Sequence, residues 1–359
     1  MDDRYSKDRL SAQVAQQLAH MIAFGPEVFQ VTRIMLEKGI FKALDESSHG
    51  DGPKGLTLSQ VSEKSGLSLY ACKVLLESSL TAGTLLLRDG RFLLSKVGWF
   101  LLNDPMVRPD IEFNHDINYK GLFHLQEAME KAEPSGLREL GPWPTIYEGL
   151  SSLAPREQKS WFAFDHFYSD VSFDEVLPLV FSRKPSTLLD IGGNTGRFAL
   201  RCTAFDPEVE VTILDLPQQI GLMEENIKGK GGSSRIHGLG GNLLSENTAV
   251  PEGFDVVWMS QFLDCFSEEQ VLSILRRVAA SLKEGASVFI METLWDRQKY
   301  AAASFDIAQT SVYFTAMANG NSKMFYSEDL FALIADSGLR VAEIKDGIGE
   351  GHSLIRCVR

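Results

Sequence analysis

Residues 187–200 read Thr-Leu-Leu-Asp-Ile-Gly-Gly-Asn-Thr-Gly-Arg-Phe-Ala-Leu. The run 187–190 is a short apolar strand, entered from Pro185 and leaving into glycines. Gly192, Gly193 and Gly196 let the backbone turn sharply and approach a ligand without a Cβ in the way. From Arg197 the pattern is helical. Strand, glycine turn and helix N-terminus make the first βα unit of a Rossmann-like sheet, where ligands bind beyond the strand ends.

The details of the turn narrow the ligand. A dinucleotide fingerprint needs Gly-x-Gly-x-x-Gly, but the position two before Gly193 is Ile191, and no Gly-Lys-Ser/Thr follows to make a phosphate cradle. Asp190 sets a carboxylate beside the loop, which repels a pyrophosphate and suits a cationic group. S-adenosylmethionine carries both an ammonium and a sulfonium, so it fits; a plain strand–turn–helix corner is the alternative. A second apolar strand, 210–214, ends at Asp215, twenty-five residues after Asp190. An acid there can accept hydrogen bonds from both ribose hydroxyls, or cap the helix that Pro217 opens. After a third strand around 234–237 comes Gly-Gly-Asn-Leu-Leu (240–244), in which Asn242 and Leu243 can bond and sandwich an adenine edge.

These pieces carry a resemblance. Asp-Ile-Gly-Gly-Asn-Thr-Gly (190–196), Leu-Asp-Leu-Pro (214–217) and Gly-Gly-Asn-Leu (240–243) resemble the cofactor half of small-molecule O-methyltransferases of the plant caffeate and hydroxyindole type and their bacterial polyketide-tailoring relatives. Phe-Leu-Asp-Cys-Phe-Ser-Glu-Glu (262–269) is similar to that family's Ile-Leu-His-Asp-Trp-Ser-Asp-Glu. The likeness spans the chain, strongly from 186 to 359 and loosely before. It implies S-adenosyl-L-methionine as cofactor, held by Asp190, Gly192, Gly193, Gly196, Asp215, Leu216, Asn242, Leu243, Ser260 and Phe266.

With 359 residues the chain can bury a large core and hold two domains. A formal net charge of −13 argues against a nucleic-acid surface, since phosphate binding relies on clustered Lys and Arg. No apolar run is long enough for a membrane span, and the first residues lack the apolar stretch of a secretory signal. Cys72, Cys202, Cys265 and Cys357 are far apart, which suggests reduced thiols, a cytoplasmic protein and no metal site.

Along the chain, 8–24 and 27–44 have helical apolar spacing, helices start at Thr57 and Ser68, and Asp89-Gly90 joins two short strands as a hairpin. Helix, helix, helix, hairpin is the winged-helix order, yet the would-be recognition helix 68–80 carries only Lys73 as a cation. A subunit contact suits it better than DNA, and the resemblance implies that this region makes a homodimer. Residues 109–182 are helical and rich in aromatics, some of which are expected to line an apolar substrate pocket. From 183 strands and helices alternate, and the closing strands 340–346 and 353–358 form an antiparallel pair. The expected fold is therefore α/β: a Rossmann-like methyltransferase sheet over 183–359 with an antiparallel last strand, a helical linker at 109–182, and a helical winged-helix dimerisation domain at 1–108.

Methyl transfer from a sulfonium is an in-line displacement, so the protein mainly positions its reactants. A phenol nucleophile, with pKa about 10, also needs a base. The resemblance implies a histidine after the fourth strand, where this chain has Asp264. An unperturbed aspartate falls short of a phenol by about 6 units, ~8 kcal/mol, so as catalytic base Asp264 needs burial to raise its pKa. Glu292 matches the family's glutamate that orients the base, and its like charge raises Asp264 further, giving a coupled pair with one proton near neutrality. Phe266 replaces a stacking tryptophan, the family's second glutamate falls at Met324, and Asn319 matches a substrate-contacting asparagine. His115, His124 and His166 could supply a base from the substrate side, His166 counting as a substrate-binding residue. Cys265 reads as a packed thiol.

The leading reading is a methyltransferase acting on a hydroxyl of a small aromatic or polyketide-like molecule. A relative that keeps the cofactor but decarboxylates or hydroxylates is the alternative. A winged-helix regulator that senses a small molecule is disfavoured by the acidic charge and the cation-poor helix.

Overall fold

In the computed structural model, residues 5–49, 54–245 and 248–359 are described, the side chains of 166–170 excepted. The chain divides into two units, Met1–Asn114 and His115–Arg359.

The first unit is built from helices with side-chain caps. Ser11 accepts from the Val14 N–H to open α1 (Ala12–Ala23). The 27–44 run is not one helix: Gly39, at φ +67°, separates α2 (Gly25–Glu37) from α3 (Ile40–Glu46). A reciprocal Thr57–Gln60 capping box opens α4 (Leu58–Ser65), and Ser68 caps α5 (Leu69–Thr81). The antiparallel hairpin β1 (Leu85–Arg88) and β2 (Arg91–Leu94) turns through Asp89 and Gly90, both at positive φ as a two-residue turn of this hand requires. Met35, Phe41, Leu44, Val61, Leu76 and Leu85 make its core. By contrast α1 buries no residue at all.

The second unit holds a seven-stranded sheet. Its strands are β3 (Thr187–Ile191), β4 (Glu210–Asp215), β5 (Ile236–Gly240), β6 (Val256–Ser260), β7 (Ser287–Glu292), β8 (Arg340–Ile348) and β9 (His352–Val358). They lie in the order β5-β4-β3-β6-β7-β9-β8, the first five parallel and the last two antiparallel. The third strand starts two residues later than 234–237 and includes Gly240, so its loop begins at Gly241. After β7 an α-helix runs over Ala301–Tyr313 and continues as a π-turn at Phe314–Ala318. Helices cover both faces, so β6 and β7 read as unbroken apolar runs. The order reverses between β3 and β6, and such a switch point opens a crevice at the strands' carboxyl ends.

Asp255 ties down the opposite end of these strands. Its Oδ2 accepts from the N–H and hydroxyl of both Ser186 and Thr187, and Oδ1 pairs with Lys283 at 2.7 Å. Burial raises its pKa, but these donors outweigh burial and hold the carboxyl below its ordinary 3.8. A depressed folded pKa contributes stability that is present above the unfolded value and lost as pH falls below it. Asp255→Ala is expected to lower unfolding free energy by about 1.5–3 kcal/mol near neutral pH, read as a shift of the urea midpoint. That difference should shrink below pH 4; an equal loss at pH 3 would contradict the linkage.

Candidate functional site

A cavity of about 370 Å³ lies at the carboxyl ends of β3, β4, β5 and β6. One part is walled by the strand-end loops: Gly192, Asn194, Asp215, Leu216, Asn242, Leu243 and Phe262. The other is aromatic: Tyr147, Trp161, Phe164, Tyr313 and Phe314, with Met324 among them.

The loop after β3 is shaped by what it must avoid. Gly192 sits at φ +76°, and a Cβ there would lie 2.3 Å from the Phe262 ring. Asn194, also at positive φ, donates its N–H to Asp215 Oδ2 at 2.9 Å, while Leu216 N–H donates to Oδ1 at 2.7 Å. Each Asp215 oxygen keeps a lone pair for a further donor. Burial raises the Asp215 pKa against these two bonds. Asp190, 2% exposed, does not line the cavity; it lies beneath the loop, its Oδ2 buried without a partner. Burial and then the Asp215 charge push its pKa up to about 8. An unpaired buried carboxyl under a glycine turn, beside a second carboxylate with free lone pairs, fits an ammonium-bearing ribonucleoside such as S-adenosylmethionine.

Gly193 and Gly196 line no part of the cavity either. A Cβ on Gly193 would meet the Asp190 carboxyl at 2.7 Å, and one on Gly196 would meet Met223 at 2.9 Å. Gly193 thus makes room over the buried acid, and Gly196 makes room for the helix Pro217–Ile227. Ser260 ends β6 without reaching the cavity wall, whereas its neighbour Gln261 does so in a left-handed conformation at φ +46°. Asn194 and Gln261 thus carry uncommon backbone geometry on the cavity rim, where such strain is typically kept for function.

Beyond Gln261 a short turn carries Asp264 and Cys265 into the cavity. Asp264 is 6% exposed, and Cys265 Sγ donates to its Oδ1 at 3.5 Å. Burial is the main cause that lifts Asp264 to about 6, against that thiol and nearby backbone N–H groups. Glu292, fully buried at the end of β7, lies behind the turn: its Oε1 accepts from Phe262 N–H at 3.1 Å and Leu263 N–H at 2.9 Å. Its Oε2 has no partner. Burial, then the Asp264 charge, pushes Glu292 well above the ordinary carboxylate range. Each carboxyl is raised by burial, and as close neighbours the two titrate as a coupled pair.

The other expected residues fall elsewhere. His115 pairs with Asp116 at 2.7 Å and His124 with Glu139 at 2.9 Å; neither lines the cavity. The side chain of His166 lies outside the described residues. Asn319 reaches the wall, but its amide N–H donates to Cys265 O at 2.5 Å and its oxygen accepts from Ser322 N–H and Oγ. It fastens the π-turn to the Asp264 loop. Composition gave no warning of Thr293, which lines the cavity with a buried, unpartnered hydroxyl. Nor did it single out Trp161, whose indole N–H donates to Tyr313 Oη at 2.8 Å and joins two walls. No group of His, Cys, Asp and Glu among the described residues is arranged to hold a metal.

Comparison with known proteins agrees with this geometry. A Dimerisation2-like domain matches residues 16–92 and an O-methyltransferase domain matches residues 153–340, just over half the chain. An L-tyrosine C(3)-methyltransferase from Streptomyces lavendulae is 26% identical over 85% of this chain and 81% of its own length. A mitomycin biosynthesis 6-O-methyltransferase from the same organism is 25% identical over 91% and 90%. The apo structure of the S-adenosylmethionine-dependent methyltransferase SibL shares the fold, with a TM-score of 0.69 at 22% identity over 94% and 98% of the two chains. A glycine turn over a buried acid, an acid at the next strand end and this domain match place the chain in the S-adenosylmethionine-dependent O-methyltransferase family.

Proposed function

We propose that this methyltransferase alkylates a hydroxyl of a small aromatic or polyketide-like acceptor, with Asp264 as general base. The observation that carries the reading is the position of Asp264: a buried carboxyl in the cavity that holds both the strand-end loops and the aromatic wall. S-adenosylmethionine supplies the electrophilic methyl. Asp215 and Asn242 bind its nucleoside, Gly192 lets the backbone come close, and Leu216, Leu243 and Phe266 exclude water. Asp264 removes the hydroxyl proton, and Glu292, by holding the turn through Phe262 and Leu263, positions Asp264. The test is incubation with labelled cofactor and a panel of phenols, followed by mass spectrometry; no labelled product from any phenol, with cofactor binding intact, counts against the reading.

A second reading is favoured by the weak base together with the C-methylating relative: attack through a ring carbon of a phenol rather than its oxygen. Carbon-13 NMR of the product separates the two, because a methyl ether and an aryl methyl resonate far apart.

The chain is further read as a cytoplasmic homodimer that joins through a winged helix and binds neither nucleic acid nor membrane. Val14, Leu18 and Ile22 recur every four residues on α1 and are exposed, as are Leu69, Tyr70 and Val74 on α5. This apolar surface lies within the part matched to the dimerisation domain, apart from Val14. Among the described residues no helix is long and apolar enough to cross a membrane. Light scattering at micromolar concentration should report a dimer, and Leu18→Glu with Ile22→Glu should yield a monomer that still binds S-adenosylhomocysteine. A monomeric wild type would rule the interface out.

A further inference from the structure

We infer that the Tyr147 and Thr293 hydroxyls select the acceptor, donating to an uncharged carbonyl oxygen that it carries. The acceptor is then a phenol whose ring is conjugated with a ketone; this rests on the proposed methyl transfer and names its substrate class. Tyr147 stands on the short helix Ile146–Gly149 and Thr293 directly after β7, so two separate elements bring these side chains to the cavity wall. Both hydroxyl oxygens are buried, and neither has a hydrogen-bond partner. Thr293 as a whole is 3% exposed.

Other donors of the aromatic end are already engaged. The Trp161 indole donates to Tyr313, the Thr310 hydroxyl to Asp306 O, the Asn319 amide to Cys265 O and the Cys265 thiol to Asp264. Around the Tyr147 phenol lie Cys265 and Tyr313. The first offers a sulfur that accepts weakly, the second a hydroxyl that already accepts from Trp161. Burial above all pushes the Tyr147 pKa well up, so the phenol keeps its proton and acts as a donor. A buried O–H without an acceptor is costly, and a ligand oxygen that meets it removes that cost. No Lys, Arg or His stands among the described lining residues, so this wall reads an oxygen by hydroxyls and not by charge. A carboxylate would enter with no cation of the wall to offset it, whereas a ketone brings the same oxygen uncharged. A ketone conjugated with the ring also draws electron density from the phenol oxygen. That makes the hydroxyl more acidic and asks less of a carboxylate base.

The experiment compares 6-hydroxy-1-tetralone with 6-hydroxytetralin, the same bicyclic phenol with a methylene in place of the ketone. Each is titrated calorimetrically at mildly acidic pH, where both keep their phenolic proton. The proteins are full-length wild type, Tyr147→Phe, Thr293→Val and the double variant, all with S-adenosylhomocysteine bound. Wild type should prefer the ketone about tenfold, as two neutral hydrogen bonds give. Each single variant should lose at least threefold of that preference and the double variant nearly all of it, while affinity for 6-hydroxytetralin stays within twofold. A hydroxyl that only shapes the wall would weaken both phenols together. The ketone failing to bind, no preference in wild type, a preference untouched in either single variant, or equal weakening of both phenols each overturns the inference. Failure of S-adenosylhomocysteine to bind wild type speaks against the methyl-transfer reading instead, and the ketone preference is then read on the free protein.

Discussion

Asp215→Ala should abolish measurable binding of S-adenosylhomocysteine under conditions where the wild type binds at micromolar levels. The carboxylate holds two backbone N–H groups, from Asn194 and Leu216, and keeps a lone pair on each oxygen facing the cavity. Each ribose bond to a charged acceptor contributes about 1.5–3 kcal/mol. Losing two corresponds to a weakening of about 10²–10⁴-fold. The variant also frees Asn194, whose left-handed backbone is stabilised by that bond, so the glycine turn loses its shape. Asp215→Asn distinguishes the effects: the amide oxygen can still accept one N–H, so the turn survives while one ribose contact goes. Calorimetric titration of the three proteins checks the order wild type, Asn, Ala. Equal affinities would remove Asp215 from the cofactor site.

Replacing Asp264 by Asn should lower kcat by about 10²-fold or more, the low end of what a positioned base supplies. With its pKa at about 6, Asp264 still falls short of a phenol by about 4 units, ~5.5 kcal/mol. Burial recovers about 2 of the 6 units an ordinary aspartate would lack. A base works when deprotonated, so kcat should rise with pH to a plateau, falling tenfold per unit below the midpoint. Bound cofactor is cationic and favours the carboxylate, which moves that midpoint in the ternary complex to 6 or lower. The Asn variant should lose this acid limb altogether. A loss under tenfold, with the limb intact, would show that Asp264 is not the base. Glu292→Gln should keep the two N–H contacts through its amide oxygen and leave kcat within a few-fold, as expected of a positioning residue.

The parts legible in the sequence were those written into consecutive residues. Strand, glycine and helix follow one another in 187–200, and Asp215 ends its strand just before a proline, so local pattern alone located both. The same pattern could not say what each glycine was for: Gly192 clears the Phe262 ring, whereas Gly196 clears a helix on the far side. Nor could it say which faces of the helices in 109–182 turn inward, because the aromatics are scattered along the segment without a clear helical period. Trp161 and Phe164 line the cavity, Phe173 packs against Phe198 in the core, and Phe123 is exposed. The histidines misled for a related reason. His115 and His124 find acidic partners, Asp116 one residue away and Glu139 fifteen away, and these hold both rings outside the cavity. Asn319 has its amide committed to a carbonyl fifty-four residues earlier, a pairing only the folded chain reveals.

A helix with no fully buried residue draws little of its folding from its own unit. α1 spans twelve residues, is capped at Phe24 and exposes the apolar stripe of Val14, Leu18 and Ile22. Isolated helices of that length are marginal in water, because nucleation is costly and few bonds follow it. In the proposed homodimer its helicity is tied by mass action to protein concentration. Diluting the protein through its association constant should melt about one helix's worth of far-ultraviolet ellipticity while the sheet and the near-ultraviolet signal stay fixed. The first turns of this chain would behave as a reporter of how many copies are present, coiled when alone and wound only in company.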